Sequence, residues 1–142
     1  MNGSSPPLPP PPDRGRRTKL DCIRYAFYLH RDVTPISITD AWEQWPEMRE
    51  VHPSFDAFRV NVYRLNGTGD RHHLYAIGEQ RYRTYLVNMS GLLYLFQRGY
   101  ISKEEENRAR KWLCFTLPDV MDEKRADKII RSTKHGYRSW TR

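Results

Sequence analysis

Cysteine is scarce in this chain: Cys22 and Cys114 are the only two, and each lies in an apolar stretch far from the other. That spacing excludes a disulfide-stapled scaffold, and with no second thiol or histidine at ligand distance it excludes a zinc module. Both are expected to be buried, reduced thiols. Long hydrophobic runs are missing too. The longest, Leu92 to Phe96, stops at Gln97 and Arg98, far below the ~20 residues of a membrane span. Asn-Gly-Ser-Ser and a run of prolines follow Met1 where a secretory signal would need an apolar stretch. The expectation is a protein of nucleus or cytoplasm, not secreted and with no membrane partner.

Catalytic signatures are absent as well. The chain has no Gly-rich phosphate loop and no nucleophile elbow. His72 and His73 are adjacent, so on a helix or a strand they project in different directions and make a poor ligand pair. Glu104, Glu105 and Glu106 cluster at a helix start, where they suit the macrodipole. We therefore expect no catalytic residues, no metal site and no cofactor.

Present in quantity are positive charge and aromatic rings. The 142 residues hold 24 Lys plus Arg against 17 Asp plus Glu, a net charge of +7, with 13% aromatic and 38% hydrophobic residues. Rings in that number need a core to pack in, so the chain is not disordered throughout. The charge is uneven. Residues 1–20 carry four basic side chains against one acid, residues 21–97 eight against nine, and residues 98–142 twelve against seven. A neutral body with cationic ends follows. We divide the chain into a disordered Pro-rich and basic arm (1–18), a folded, mainly helical domain (19–131) and a basic aromatic tail (132–142).

Within the body, Leu20, Ile23, Phe27 and His30 recur at helical spacing over 20–31, with Arg24 and Tyr28 off the stripe. Ser37 caps a helix over 38–48 that puts Ile38, Trp42 and Trp45 on one face, and Pro46 ends or kinks it. Ser54 caps a helix over 54–66 with Phe55, Phe58, Val62 and Leu65 inward and Gly67 as its stop. Residues 74–87 read as a β-hairpin with Gly78 opening a tight turn, although Arg81, Tyr82, Tyr85 and Leu86 also suit a helix. A short apolar helix over 90–98 ends at Gly99. A capping box at Ser102 and Glu105 starts a helix to about Phe115 with Ala109, Trp112 and Leu113 inward, and Leu117-Pro118-Asp119 opens a last one to about Arg131.

Two helices joined by a turn at 52–54, followed by a hairpin, make a helix-turn-helix-like element with a wing. Its second helix would present Arg59, Asn61, Tyr63 and Arg64 on the face away from the core, donors suited to bases and phosphates. Arg81 and Arg83 on the hairpin, and Lys128, Arg131, Lys134 and Arg138 with Tyr137 and Trp140 toward the C-terminus, add cations and stacking rings of the kind that bind nucleic acid. Ordinary packed helices and solvated charges would look much the same. The Pro-rich arm offers a second surface, with Pro9, Pro12 and Arg14 suited to an SH3-like or other polyproline-binding partner. The leading expectation is a non-catalytic nucleic-acid-binding protein, DNA or RNA, serving as an accessory or regulatory component of a nucleoprotein assembly. A protein-interaction adaptor or structural subunit is the second reading, and a small nuclease the third.

Overall fold

Thr18 opens the first helix, α1 (Lys19–His30), with its Oγ1 accepting from the Asp21 amide at 3.0 Å. In the computed structural model, which describes Pro9 and residues 16–33, 35–67, 71–79 and 82–131, α1 is the central element. It packs against the third, fourth and fifth helices and the second strand. A helix surrounded on several sides cannot keep a polar face. Arg24 and Tyr28, expected off the apolar stripe, are accordingly buried along with Asp21, Cys22, Ile23, Ala26 and Phe27.

Ser37 caps α2 (Ile38–Gln44), and Pro46 starts the separate α3 (Pro46–Val51), so the helix expected over 38–48 is divided at Trp45. Proline lacks the amide that would continue the ladder, and it is well placed at a first turn. Ser54 then caps α4 (Phe55–Leu65), which buries Phe58, Val62 and Leu65 as its period requires. The stop differs from expectation. Asn66, in extended conformation, is the C-cap, and Gly67 instead donates to the Leu74 carbonyl. Glycine is needed there because a Cβ would fall 2.4 Å from the His72 ring.

β1 (Leu74–Ile77) and β2 (Thr84–Val87) pair antiparallel, in register from Leu74 opposite Val87 to Ile77 opposite Thr84. The hairpin therefore prevails over the helical period of the same residues. Gly78 does adopt a positive φ of 93°, but residues 78–83 separate the strands, so the turn is wider than the tight one expected. Ile36 extends the pairing by exchanging both backbone hydrogen bonds with Tyr85.

Asn88 caps α5 (Met89–Gln97), and Gly99, at φ 83°, follows its end. The full capping box of Ser102 and Glu105 starts α6 (Lys103–Lys111), which runs into a π-helical turn over Trp112–Thr116 and then α7 (Leu117–Val120). Two expectations fail here. Trp112 is only half-buried, because the wider turn rotates the chain after Lys111. The last helix is broken at Met121 and Asp122, and the Asp122 carboxylate caps a new α8 (Glu123–Ile130). Glu106 is also more than a dipole partner. It is buried, accepting from Lys103 Nζ at 3.0 Å and pairing with the buried Arg110 at 3.1 Å.

The fold is thus mainly helical with one small antiparallel sheet, and a single cluster of buried residues runs from Cys22 to Ile130. Cys22 and Cys114 are both buried and are not joined in a disulfide. Among the described residues, no helix is long and apolar enough to cross a membrane.

The turn between α3 and α4 hides a proton-sensitive group. His52 is buried, its Nδ1 lies 3.1 Å from the Met48 carbonyl, and its Nε2 has no hydrogen-bond partner. Burial, reinforced by Lys19, pushes the imidazole below its ordinary pKa against the pull of the Met48 carbonyl. The unfolded chain then takes up the proton more readily, so stability should fall as pH drops below ~6.5. Urea titrations between neutral and mildly acidic pH should show that loss, and His52→Phe should flatten it.

Candidate nucleic-acid interface

On α4, successive residues turn by about 100°, so burial of Phe58, Val62 and Leu65 fixes where the others point. Asp56, Val60, Tyr63 and Arg64 lie on the side away from the core, and all four are exposed. Arg59 and Tyr63 share one flank. Arg59 is half-exposed, pairs with Asp56 at 3.2 Å, and stands over the Tyr63 ring, 5.4 Å from its centroid. Asn61 is half-buried and lies about 200° around the helix from Arg59. It therefore belongs to the opposite flank.

Burial raises the Tyr85 hydroxyl above its ordinary pKa, with Tyr63 adding to the rise, while the facing Arg83 guanidinium opposes it. Tyr63, Tyr85 and Arg83 thus form one neighbourhood. Arg83 Nε is buried there without a hydrogen-bond partner. Next to it in the chain, Tyr82 is 78% exposed, the most exposed of the large apolar side chains. α4 thus carries Arg59 and Tyr63 on one flank, with Arg64 about 140° around the helix from Arg59, and the hairpin end carries Arg83 and the exposed Tyr82.

Other expected site residues fall elsewhere. Lys128 and Arg131 are exposed on and just after α8, where Arg131 donates to Asp127 at 2.8 Å. Arg81, Lys134, Tyr137, Arg138 and Trp140 lie outside the described residues, as do Pro12 and Arg14. Pro9 is described and is buried, with its carbonyl accepting from Arg17 Nη1 at 3.1 Å.

The densest cluster of ionisable groups is internal. Asp21 Oδ1 accepts from Arg24 Nη1 at 2.6 Å and from the Tyr94 hydroxyl at 2.8 Å, and Oδ2 accepts from the Tyr100 hydroxyl at 2.6 Å. Arg24 Nε donates to His73 Nδ1 at 2.7 Å, and its guanidinium lies 4.2 Å from the centre of the Tyr94 ring. Burial alone would raise the Asp21 carboxyl, but the hydrogen bonds from Tyr100, Tyr94 and Arg24 outweigh it and hold the group below its usual range. These groups satisfy one another, and Asp21 itself is fully buried. We assign the cluster to the scaffold. Among the described residues, no group of three His, Cys, Asp or Glu side chains is arranged to hold a metal ion.

Sequence periodicity already placed Arg59, Arg64 and Tyr63 outward. It missed the exposure of Tyr82, because alternation along a hairpin says nothing about a loop between its strands. Comparison with protein-family models, with curated proteins and with solved structures finds no match.

Proposed function

We propose that this is a non-catalytic nucleic-acid-binding protein whose contact surface is the outer face of α4 together with the loop joining β1 and β2. The observation that carries the reading is the exposure of Tyr63, Arg64 and Tyr82, with Arg59 standing over the Tyr63 ring. Exposed rings offer stacking planes for unpaired bases, and the guanidinium groups neutralise phosphates. In this reading α2, α3 and α4 act as a helix-turn-helix-like element with the hairpin as its wing, and the basic tail adds affinity without selectivity. The protein would then serve as an accessory component of a nucleoprotein assembly.

Fluorescence anisotropy with labelled single-stranded and duplex oligonucleotides, titrated against salt, tests this. The full chain should bind at physiological salt, with log affinity falling linearly against log salt concentration. Tyr82→Ala should weaken single-strand binding by ~5- to 150-fold, equivalent to the ~1–3 kcal/mol of one stacked base. Arg64→Ala should weaken binding to all sequences alike and reduce the salt slope by ~0.7–0.9 if it meets only phosphate. No binding of either strand form by the folded protein would discard the reading.

A further inference from the structure

A cavity of about 330 Å³ opens where the C-terminal end of α1 meets α6 and the π-helical turn. Its walls are cationic and aromatic: Arg31 from just after α1, and Arg108, Lys111, Trp112, Phe115 and Thr116 from the second chain segment. Arg108 and Lys111 come from the last turn of α6 and Trp112, Phe115 and Thr116 from the π-helical turn that follows it. Asp32 is the one carboxylate at the rim. Arg31 is paired with Asp32 and Arg108 with Glu104, and Lys111 is a third cation on the wall.

Arg31 is the anchor. Its side chain is only 8% exposed, its Nη1 donates to the Tyr28 carbonyl at 2.7 Å, and its guanidinium lies over the Tyr28 ring at 4.4 Å. Stacking and the carbonyl contact hold the group rigid, yet Nε is buried with no hydrogen-bond partner. The nearest acid oxygen, on the half-exposed Asp32, is 3.5 Å away and leaves that donor unsatisfied. A buried donor of this kind is costly, and the part of the guanidinium that lines the cavity is what an anionic oxygen can meet. Arg108 is held only by a 3.7 Å pair with Glu104, both well exposed, so an incoming anion displaces little. The π-turn bears on the same point. The Leu117 amide donates to the Trp112 carbonyl, five residues back, at the place where Trp112, Phe115 and Thr116 enter the wall. Such turns concentrate at functional sites.

We propose that this cavity binds a nucleoside phosphate, with the phosphate on Arg31, Arg108 and Lys111 and the base against Trp112 and Phe115. The volume lies at the lower end of small-molecule pockets, which suits one nucleotide and not a dinucleotide cofactor. The site uses none of the α4 or hairpin residues, so it stands or falls apart from the function proposed above. The nucleotide has two sources, a free mononucleotide or the 5′-phosphorylated end of a strand, and the same cavity chemistry serves either.

Isothermal titration calorimetry of the full chain decides. AMP or UMP should bind with Kd below ~1 mM, and adenosine or inorganic phosphate alone should bind at least ~10-fold more weakly, since each meets only half of the site. Lys111→Glu, a charge reversal at an exposed position, should weaken AMP by ~10-fold or more, and Trp112→Leu should do so for AMP but not for phosphate. Tighter binding of a 5′-phosphorylated tetranucleotide than of its unphosphorylated form identifies strand ends as the source, and equal affinity for AMP alone identifies the free nucleotide. The proposal is overturned if AMP and UMP do not bind, if phosphate binds as tightly as AMP, if a phosphotyrosine peptide binds more tightly than either nucleotide, or if Lys111→Glu leaves AMP affinity unchanged. Should Trp112→Leu fail to fold, the Lys111→Glu and phosphate comparisons still settle the matter.

Discussion

Asp21→Asn should cost ~3–5 kcal/mol of folding stability, the largest effect expected of any isosteric change in this chain. The carboxylate is fully buried and is the common acceptor for Arg24, Tyr94 and Tyr100, with Arg98 Nη2 a further 3.6 Å away. An amide keeps the shape but removes the charge that balances the buried Arg24, and it turns an NH2 group toward donors. Two controls separate these causes. Tyr100→Phe deletes one hydrogen bond to a charged group and should cost ~1.5–3 kcal/mol. Asp32→Asn changes an exposed carboxylate and should stay within ~0.5 kcal/mol. Chemical denaturation measures all three, and a loss below ~1 kcal/mol for Asp21→Asn would contradict a paired buried charge.

The same residue sets an acid limit. Because the folded state holds the Asp21 carboxyl below its ordinary pKa, the unfolded chain binds the proton more readily. The stabilisation is therefore complete above the ordinary carboxylate range and is lost as pH falls through the folded value. His52 acts in a higher pH window with the same sign, since its imidazole is also depressed. Stability should thus decline in two stages on acidification, and Asp21→Asn should remove only the lower one.

How much of this was legible beforehand depends on the range of the interaction. Local signals were read correctly: Ser37, Ser54 and the Ser102–Glu105 box cap helices, Pro46 divides one, and Gly99 follows another at positive φ. Each depends on residues within one turn of itself. Arg24 was misplaced because its partner His73 lies 49 positions away, and no period in α1 announces it. His72 gave no sign that it packs on Gly67, nor Pro9 that it is buried, for the same reason. The π-turn at Trp112–Thr116 was equally hidden, since Lys111 to Thr116 shows an uninterrupted helical pattern. On the candidate interface, the three-and-four spacing gave the outer face of α4, but the neighbourhood of Tyr63, Tyr85 and Arg83 depends on how the hairpin folds back.

Trp45→Ala should also cost ~3–5 kcal/mol, while Trp112→Ala should cost clearly less. Sequence periodicity treats Trp42, Trp45 and Trp112 alike, each on an apolar stripe, but the structure ranks them. Trp45 is 2% exposed and meets Phe27 edge-on at 4.9 Å and His30 at 5.4 Å. It also forms the joint between α2 and α3, where its amide donates to the Ala41 carbonyl. Truncation leaves a cavity beside α1 that neighbours on three helices would have to collapse to fill, and a close-packed interior resists that. Trp42 is half-buried against Phe55 and Phe58, and Trp112 is half-buried at the mouth of the cavity next to Arg108 and Lys111. Both already leave part of the ring in water, so less transfer free energy is lost. Urea denaturation of the three single variants should therefore give one large loss and two smaller ones. A Trp112→Ala loss equal to that of Trp45→Ala would mean that Trp112 is a core residue, and the cavity it lines would then be closed.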